Sequence, residues 1–315
     1  MIRAFTDSIF SLPVEDLRPD MKSLLVVPVL TLIGCLSLSL ARVLGVAIGA
    51  LAYLLSARSV RVTRENIDLC LSHLSEAERR KIAYQSVLET GKLAAEICVV
   101  WARKGEWIRR HILAYEANEV AESYLAEGRG LLVLAPHIGN WEVLGYHLAS
   151  LGPNTNLYQP PRLSGLDRIV RHARQRFGAK LVPADRKGLS QVLKTLKEGG
   201  ISGILPDQTP QDANAGAFVP FFTEPAFTMT LAHKLIQKTG CKVVFAYARR
   251  VPRGFEIVFH EPPAAIYAVD QVVALTALNQ GVEACVLDVP AQYQWEYKRF
   301  KKRPEGAVPR YIFDR

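Results

Sequence analysis

The chain has 315 residues, room for one large domain or two ordinary ones, and its 49% hydrophobic and 22% charged content excludes a disordered chain. A net charge of +9 points to acidic partners, among them anionic lipid headgroups, phosphates or an acidic protein. No RNA-binding aromatic signature and no zinc-finger spacing accompanies that charge, so nucleic acid is not an expected partner.

Residues 1–22 form a lead of mixed charge, unlike the basic start of a signal peptide. From Ser23 to Ala57 the only charge is Arg42. Ser23 to Ala41 is just long enough to span a bilayer core, whereas Val43 to Ala57 is short for a second crossing. A membrane helix with an interfacial one, a shallow hairpin or a buried helical pair all fit, and membrane association of residues 23–57 is the expectation. Arg3, Arg18 and Lys22 on one side balance Arg58, Arg61 and Arg64 on the other, so charge sets no orientation.

Beyond this segment, residues 58–315 read as one α/β domain. Ser75 followed by Glu78 has the form of a helix cap. Gly130 to Ala135 is an apolar run too short for a globular helix, and it leads through Pro136 to His137, a Gly139-Asn140 turn and a helix start. That arrangement puts His137 at the end of a buried strand and Glu142 in the first turn of the next helix. The two can then meet where open α/β sheets place their ligands. A His-x4-Glu spacing also occurs at His73 and at His111, but neither has a strand before it, and both read as solvated faces.

Val170, Ala173 and Phe177 form one apolar stripe with Arg174 at its edge. A guanidinium half inside a protein wants a carboxylate, and Asp207, after the predicted strand Ile201 to Leu205, is the candidate partner. Arg168, Arg171 and Arg176 read as a solvated or phosphate-facing surface. Leu189, Val192, Leu193 and Leu196 have helical spacing, with Gly199-Gly200 as a stop. Thr228 to Thr239 reads as a helix closed by Gly240, and Cys241 to Ala248 with Gly254 to Phe259 as a hairpin of strands. Helices alternating with short apolar strands predict a mainly parallel sheet flanked by helices. Lys298, Arg299, Lys301, Lys302 and Arg303 make a basic run that reads either as a charged face or as a docking surface.

Several chemistries lack their motifs. There is no Gly-x-Ser-x-Gly elbow, no phosphate-binding glycine loop, no Gly-x-Gly-x-x-Gly and no His-Glu-x-x-His. Five scattered cysteines form no Cys-x-x-Cys pair, so neither a zinc site nor a disulfide framework is signalled, and no metal or cofactor is called for. With no marked nucleophile on the protein, the nucleophile belongs to the substrate. A His137–Glu142 base that activates a substrate hydroxyl suits acyl transfer from an ester or thioester. Backbone N–H groups at the start of the helix after Asn140 are candidates for an oxyanion hole.

Five blocks carry a resemblance. They are Arg64-Glu65-Asn66-Ile67 with Leu74-Ser75-Glu76; Ala135-Pro136-His137-Ile138-Gly139-Asn140-Trp141-Glu142; Asp185-Arg186-Lys187-Gly188-Leu189; Leu205-Pro206-Asp207-Gln208 with Phe218-Val219-Pro220-Phe221-Phe222; and the block from Gln292 to Gly306. On these the chain resembles the late, or secondary, acyltransferases of lipid A biosynthesis (the lauroyl/myristoyl type), within the wider lysophospholipid and glycerol-phosphate acyltransferase group. The resemblance implies a glycerol-phosphate-acyltransferase-like fold and a bacterial inner-membrane enzyme whose catalytic face is toward the cytoplasm. It implies an acyl carrier protein as donor and a lipid A precursor as acceptor, usually at the 3-hydroxyl of an attached acyl chain. His137 and Glu142 are then the His-x4-Asp/Glu pair, with Arg174, Asp207, Asn140 and Gln208 supporting the site. The chain departs from the family at Thr209-Pro210, which leaves the exact acceptor open; another hydroxylated lipid, such as an ornithine-type lipid, is the alternative.

Overall fold

A computed structural model describes residues 21–161 and 164–314. The lead expected over residues 1–22 therefore lies, but for its last two residues, outside the described residues. The apolar segment after it is divided. Helix α1 (Met21–Gly34) stops and α2 (Leu38–Leu54) starts anew, with the Ser37 side chain accepting the Leu40 N–H as its cap. The stretch from Ser23 to Ala41 is thus not one spanning helix. Among the described residues no single helix is long and apolar enough to cross a membrane, although α2 and α3 (Arg58–Cys70), bent by 83°, pass that test together.

Helix α2 lies against α4 (Glu76–Ala102), whose start carries the reciprocal capping box of Ser75 and Glu78. The two helices approach backbone to backbone: a Cβ on Gly45 would stand 2.4 Å from the Gly91 carbonyl oxygen. The opposite face of α1 and α2 leaves Leu32, Val43, Leu51 and Leu54 exposed.

After the short α5 (Gly105–His111) the chain enters the sheet. The elements in order are β1 (Ile112–Glu116), α6 (Asn118–Ala126), β2 (Leu131–Leu134), α7 (Trp141–Leu151), β3 (Asn154–Tyr158), α8 (Ser164–Gln175) and β4 (Ala179–Pro183). Then come α9 (Arg186–Lys197), β5 (Ile201–Ile204), β6 (Gly216–Phe221), β7 (Glu224–Met229), α10 (Leu231–Thr239), β8 (Lys242–Val251), β9 (Gly254–His260) and α11 (Gln271–Asp288). Seven strands form one sheet in the order β1-β9-β8-β2-β5-β3-β4, parallel throughout except at the β8–β9 hairpin. All four residues of β2 are fully buried, because helices cover both faces of this central strand.

The expected α/β class, the strand–turn–helix around His137, the strand before Asp207 and the β8–β9 hairpin are all present. One assignment differs. Thr228 and Met229 belong to β7, which pairs with β6 in a separate two-stranded antiparallel unit, and α10 begins only at Leu231. Thr228 is drawn into the strand by burial, where its hydroxyl exchanges hydrogen bonds with Asn279 of α11.

The basic run near the C-terminus also differs from a simple charged face. Arg299 is buried and donates to the Phe227 carbonyl (2.8 Å) and the Thr228 hydroxyl (2.8 Å). Lys302 donates to the Pro210 carbonyl (2.8 Å), and Arg303 pairs with Glu224 (3.0 Å). Two of the five cations, Arg299 and Arg303, thus fasten the last segment to β7, and a third, Lys302, fastens it to the loop before β6. Arg176, expected on a solvated or phosphate-facing surface, instead donates to the Trp101 and Arg103 carbonyls (both 2.6 Å) at the end of α4. Burial pulls its pKa down to about 10.

His147, on the buried side of α7, sits beside Tyr115 and Phe259 and reaches Asn118 Oδ1 at 3.3 Å. Burial disfavours its charged form and lowers its pKa to about 4. Between pH 6.5 and about 4 the unfolded chain therefore takes up a proton that the folded chain refuses. Folding stability should fall across that window, by up to about 3 kcal/mol. Denaturant midpoints measured from pH 7 to pH 4 should show this slope in the wild type and a flatter one in His147→Gln.

Candidate active site

The site is built where β2 and β5 end. Leu134 of β2 is in register with Ile204 of β5, and the Ala135 N–H continues the ladder to the Ile204 carbonyl. Each strand then runs on through a proline, to Pro136-His137 and to Pro206-Asp207. Three residues past the paired ends, His137 and Asp207 meet. The His137 Nδ1–H donates to Asp207 Oδ1 (2.8 Å), and the His137 backbone N–H donates to Asp207 Oδ2 (3.0 Å). Asp207 is buried. Burial works against its carboxylate, but the charge and the hydrogen bonds of His137 outweigh that cost, and its pKa lies below the usual carboxylate value.

This corrects the pairing expected from sequence. Glu142 is in the first turn of α7, as the pattern predicts, but its side chain takes a bidentate hydrogen bond from Arg174 of α8 rather than orienting His137. Arg174 Nη2 lies 2.6 Å from Glu142 Oε1 and Nε 3.1 Å from Oε2. Burial alone would lower the Arg174 pKa, yet the adjacent Glu142 carboxylate raises it. The four residues are all at one end of the sheet with their partners exchanged: His137 with Asp207, and Glu142 with Arg174. The indole of Trp141 stands edge-on to the His137 ring at 5.1 Å.

With Nδ1–H donated to Asp207, Nε2 of His137 carries the lone pair. The Gln208 amide Nε2 lies 3.1 Å from it and 3.2 Å from Gln294 Oε1, so Gln208 donates to the basic nitrogen. Asn140 serves the loop: fully buried, it caps α7 through the Val143 N–H (3.3 Å) and donates to Glu96 (3.3 Å). The Gly139 N–H donates to the Gln292 carbonyl and the Asn140 N–H to the Ala248 carbonyl. Three of the amides at the start of this helix are therefore engaged, which removes them from the expected oxyanion hole.

Some residues at the site carry no motif of their own. Arg250 of β8 donates to the Gly139 carbonyl (2.8 Å), to Glu96 (2.7 Å) and to Glu89 (3.1 Å). Its backbone is clasped by the Gln292 side chain, and the Gln294 N–H donates to the His137 carbonyl (3.0 Å). Glu296, whose pKa is raised by burial, lies on the same side. The Gln292–Gly306 block could point to these contacts only as a whole, because nothing in it names its partners.

A mostly apolar pocket opens beside the pair. Ala135, Trp141 and Leu205 line its end nearest the site, Glu142 and Arg174 its polar rim, and Leu148, Leu157, Phe177 and Leu181 its walls. Gly145 and Gly203 add no side chains to it.

These features define a class: an α/β protein with a carboxylate-oriented histidine over the ends of parallel strands, no nucleophilic side chain among the described residues within hydrogen-bond reach of that histidine, and an adjoining apolar pocket. The profile of the bacterial lipid A biosynthesis acyltransferases matches residues 16–302, and the chain belongs to that family. It is 28% identical over 274 residues to the lipid A biosynthesis lauroyltransferase of Escherichia coli K12, covering 85% of this chain and 87% of that protein. It is 24% identical to the palmitoleoyltransferase of the same organism over 271 residues (85% and 87% covered). The identity to the myristoyltransferase is 24% over 267 residues (84% and 82% covered).

The pairing can be tested by double-mutant cycles in chemical denaturation. Glu142→Gln with Arg174→Met should give a coupling of about 1–2 kcal/mol, and so should His137→Ala with Asp207→Asn. His137→Ala with Glu142→Gln should couple by no more than about 0.5 kcal/mol. A cross-coupling as large as the first two would undo the assignment.

Proposed function

We propose that this chain transfers a fatty acyl group from an acyl thioester, carried by acyl carrier protein, to a hydroxyl of a lipid A precursor. The acceptor hydroxyl is that of a 3-hydroxyacyl chain already in place. The observation that carries this reading is the 2.8 Å contact from His137 Nδ1 to Asp207, which aims the basic Nε2 away from the carboxylate. An acceptor hydroxyl takes the place of the Gln208 amide on Nε2 and loses its proton to it as its oxygen attacks the thioester carbonyl. Asp207 holds the ring in that tautomer and stabilises the imidazolium that forms, the part a carboxylate plays in a triad. The imidazolium then returns the proton to the departing thiolate. Gln208, released from the ring, keeps an amide N–H to donate to the oxyanion.

The Glu142–Arg174 pair forms the rim of the apolar pocket, and that pocket is where the donor acyl chain fits. The exposed apolar face of α1 and α2 is the surface we place on the cytoplasmic side of the inner membrane, where the acceptor's own chains are anchored. No metal or cofactor enters this scheme, because the base and the thioester supply the chemistry.

The test is mass spectrometry of lipid A from a strain lacking this protein, complemented with wild type, His137→Ala or Asp207→Asn. Loss of one secondary acyl chain, restored by wild type and not by His137→Ala, is the expected result. Unchanged lipid A in the deletion strain would reject the acceptor and direct the search to other hydroxylated lipids. In the purified protein, His137→Ala should lower kcat by roughly 10²–10⁴. Asp207→Asn should fall in the same range and Glu142→Gln should lose less. Asp207→Asn retaining full activity would remove the role given to that carboxylate.

A further inference from the structure

Arg42 is the one charge between Ser23 and Ala57, and it points inward. From α2 its Nε donates to Glu96 Oε1 (2.6 Å), while its two terminal nitrogens donate to the carbonyls of Val251 (2.7 Å) and Gly254 (2.8 Å). Glu96 is fully buried in α4. Its second oxygen takes the Arg250 Nε (2.7 Å) and the Asn140 amide (3.3 Å). Arg250 in turn donates to the Gly139 carbonyl. A continuous line of charge-assisted hydrogen bonds therefore runs from the apolar N-terminal helices to the Gly139-Asn140 turn, two and three residues after His137.

We propose that Arg42 is a positioning residue for His137, acting through Glu96 on the Gly139-Asn140 turn; the kinetic part of this rests on the reading of His137 as the base. The physical reason is the sharing of one buried carboxylate. Glu96 has no water to turn to, so each of its oxygens needs a donor from the protein. If Arg42 is removed, Oε1 is orphaned, and the carboxylate can regain a donor only by rotating toward Arg250. That rotation draws Oε2 away from Asn140 and Arg250 away from Gly139. The turn is otherwise held by its backbone bonds to Ala248 and Gln292, so it shifts rather than unfolds. A displacement on the order of 1 Å at the base can cost about 10²-fold in rate. The helix pair that carries the apolar outer face thereby sets the geometry of the chemical step.

The experiment compares full-length wild type, Arg42→Met and Arg42→Lys in detergent, with lauroyl-acyl carrier protein as donor and a purified lipid A precursor as acceptor. Arg42→Met should lower kcat by about 10- to 100-fold with KM for both substrates within about twofold. Arg42→Lys should recover part of the loss, because one ammonium can reach Glu96 but cannot also serve both carbonyls. Histidine-selective labelling and NMR supply the second readout. The His137 imidazole resonances, assigned by their absence in His137→Ala, should move in Arg42→Met while those of His233 stay in place. Unchanged kcat with an unmoved His137 signal overturns the proposal. So does a loss of activity that only follows the fraction of folded protein. Should the wild type transfer no acyl group at all, the reading of function fails, and the NMR arm alone decides whether Arg42 positions His137.

Discussion

The site depends on a register. Because Leu134 and Ile204 are paired in parallel, their strands end level, and the third residue beyond each end can face the other. The residues at those places are a histidine and an aspartate. Shifting either strand by one residue would swap its faces and separate Nδ1 from its carboxylate. The full burial of β2 makes such a slip costly, since it would move Leu132 and Leu134 from one core into the other. The central strands thus position the His137–Asp207 pair through the same contacts that stabilise the sheet.

A second constraint is electrostatic. Glu96 and Arg250 are buried together behind the Gly139-Asn140 turn, and such pairs add little net stability compared with apolar packing. They do specify one arrangement. The Glu96 carboxylate ties α2, α4, β8 and the loop after β2 to a single point, and it is the only such point reached by a charge from the apolar N-terminal segment. On the other side of the loop, the Gln292–Gln294 stretch runs against Gly139 and His137. The C-terminal block is in turn held by Asn66 of α3, whose amide donates to the Trp295 carbonyl (2.6 Å) and the Tyr297 carbonyl (2.8 Å). The signature blocks at the two ends of the chain are therefore one contact seen from two sides.

The two carboxylates near His137 divide the work by their surroundings. Asp207 is buried, and both of its oxygens take hydrogen bonds from His137, one of them from the imidazole. Glu142 faces the guanidinium of Arg174 and is spent as an ion pair at the rim of the apolar pocket. On the function proposed above, an acyl chain would reach His137 past that rim and an acceptor hydroxyl from the side where Gln208 lies.

Local pattern was enough for much of this. The apolar run to Ala135 and the Gly139-Asn140 turn determine a strand, a turn and a helix, because strand burial and helix capping are short-range matters. They also bring His137 to a strand end. Alternation of helices and strands determines the α/β class, and the family blocks determine the kinship. What the sequence could not decide was which carboxylate the histidine meets. His137 and Glu142 are five residues apart and His137 and Asp207 seventy, so proximity along the chain favoured the wrong partner. Hydrogen-bond partners are set by strand order and helix rotation, which are global properties. The same holds for Arg42: its isolation in an apolar segment marks it, but only the packing of α2 on α4, at the close approach of Gly45 and Gly91, turns it inward to Glu96. Sequence determined which groups are present and the local frame that holds each; the tertiary structure decided how they pair, because pairing is a competition among all donors and acceptors that the fold brings within reach.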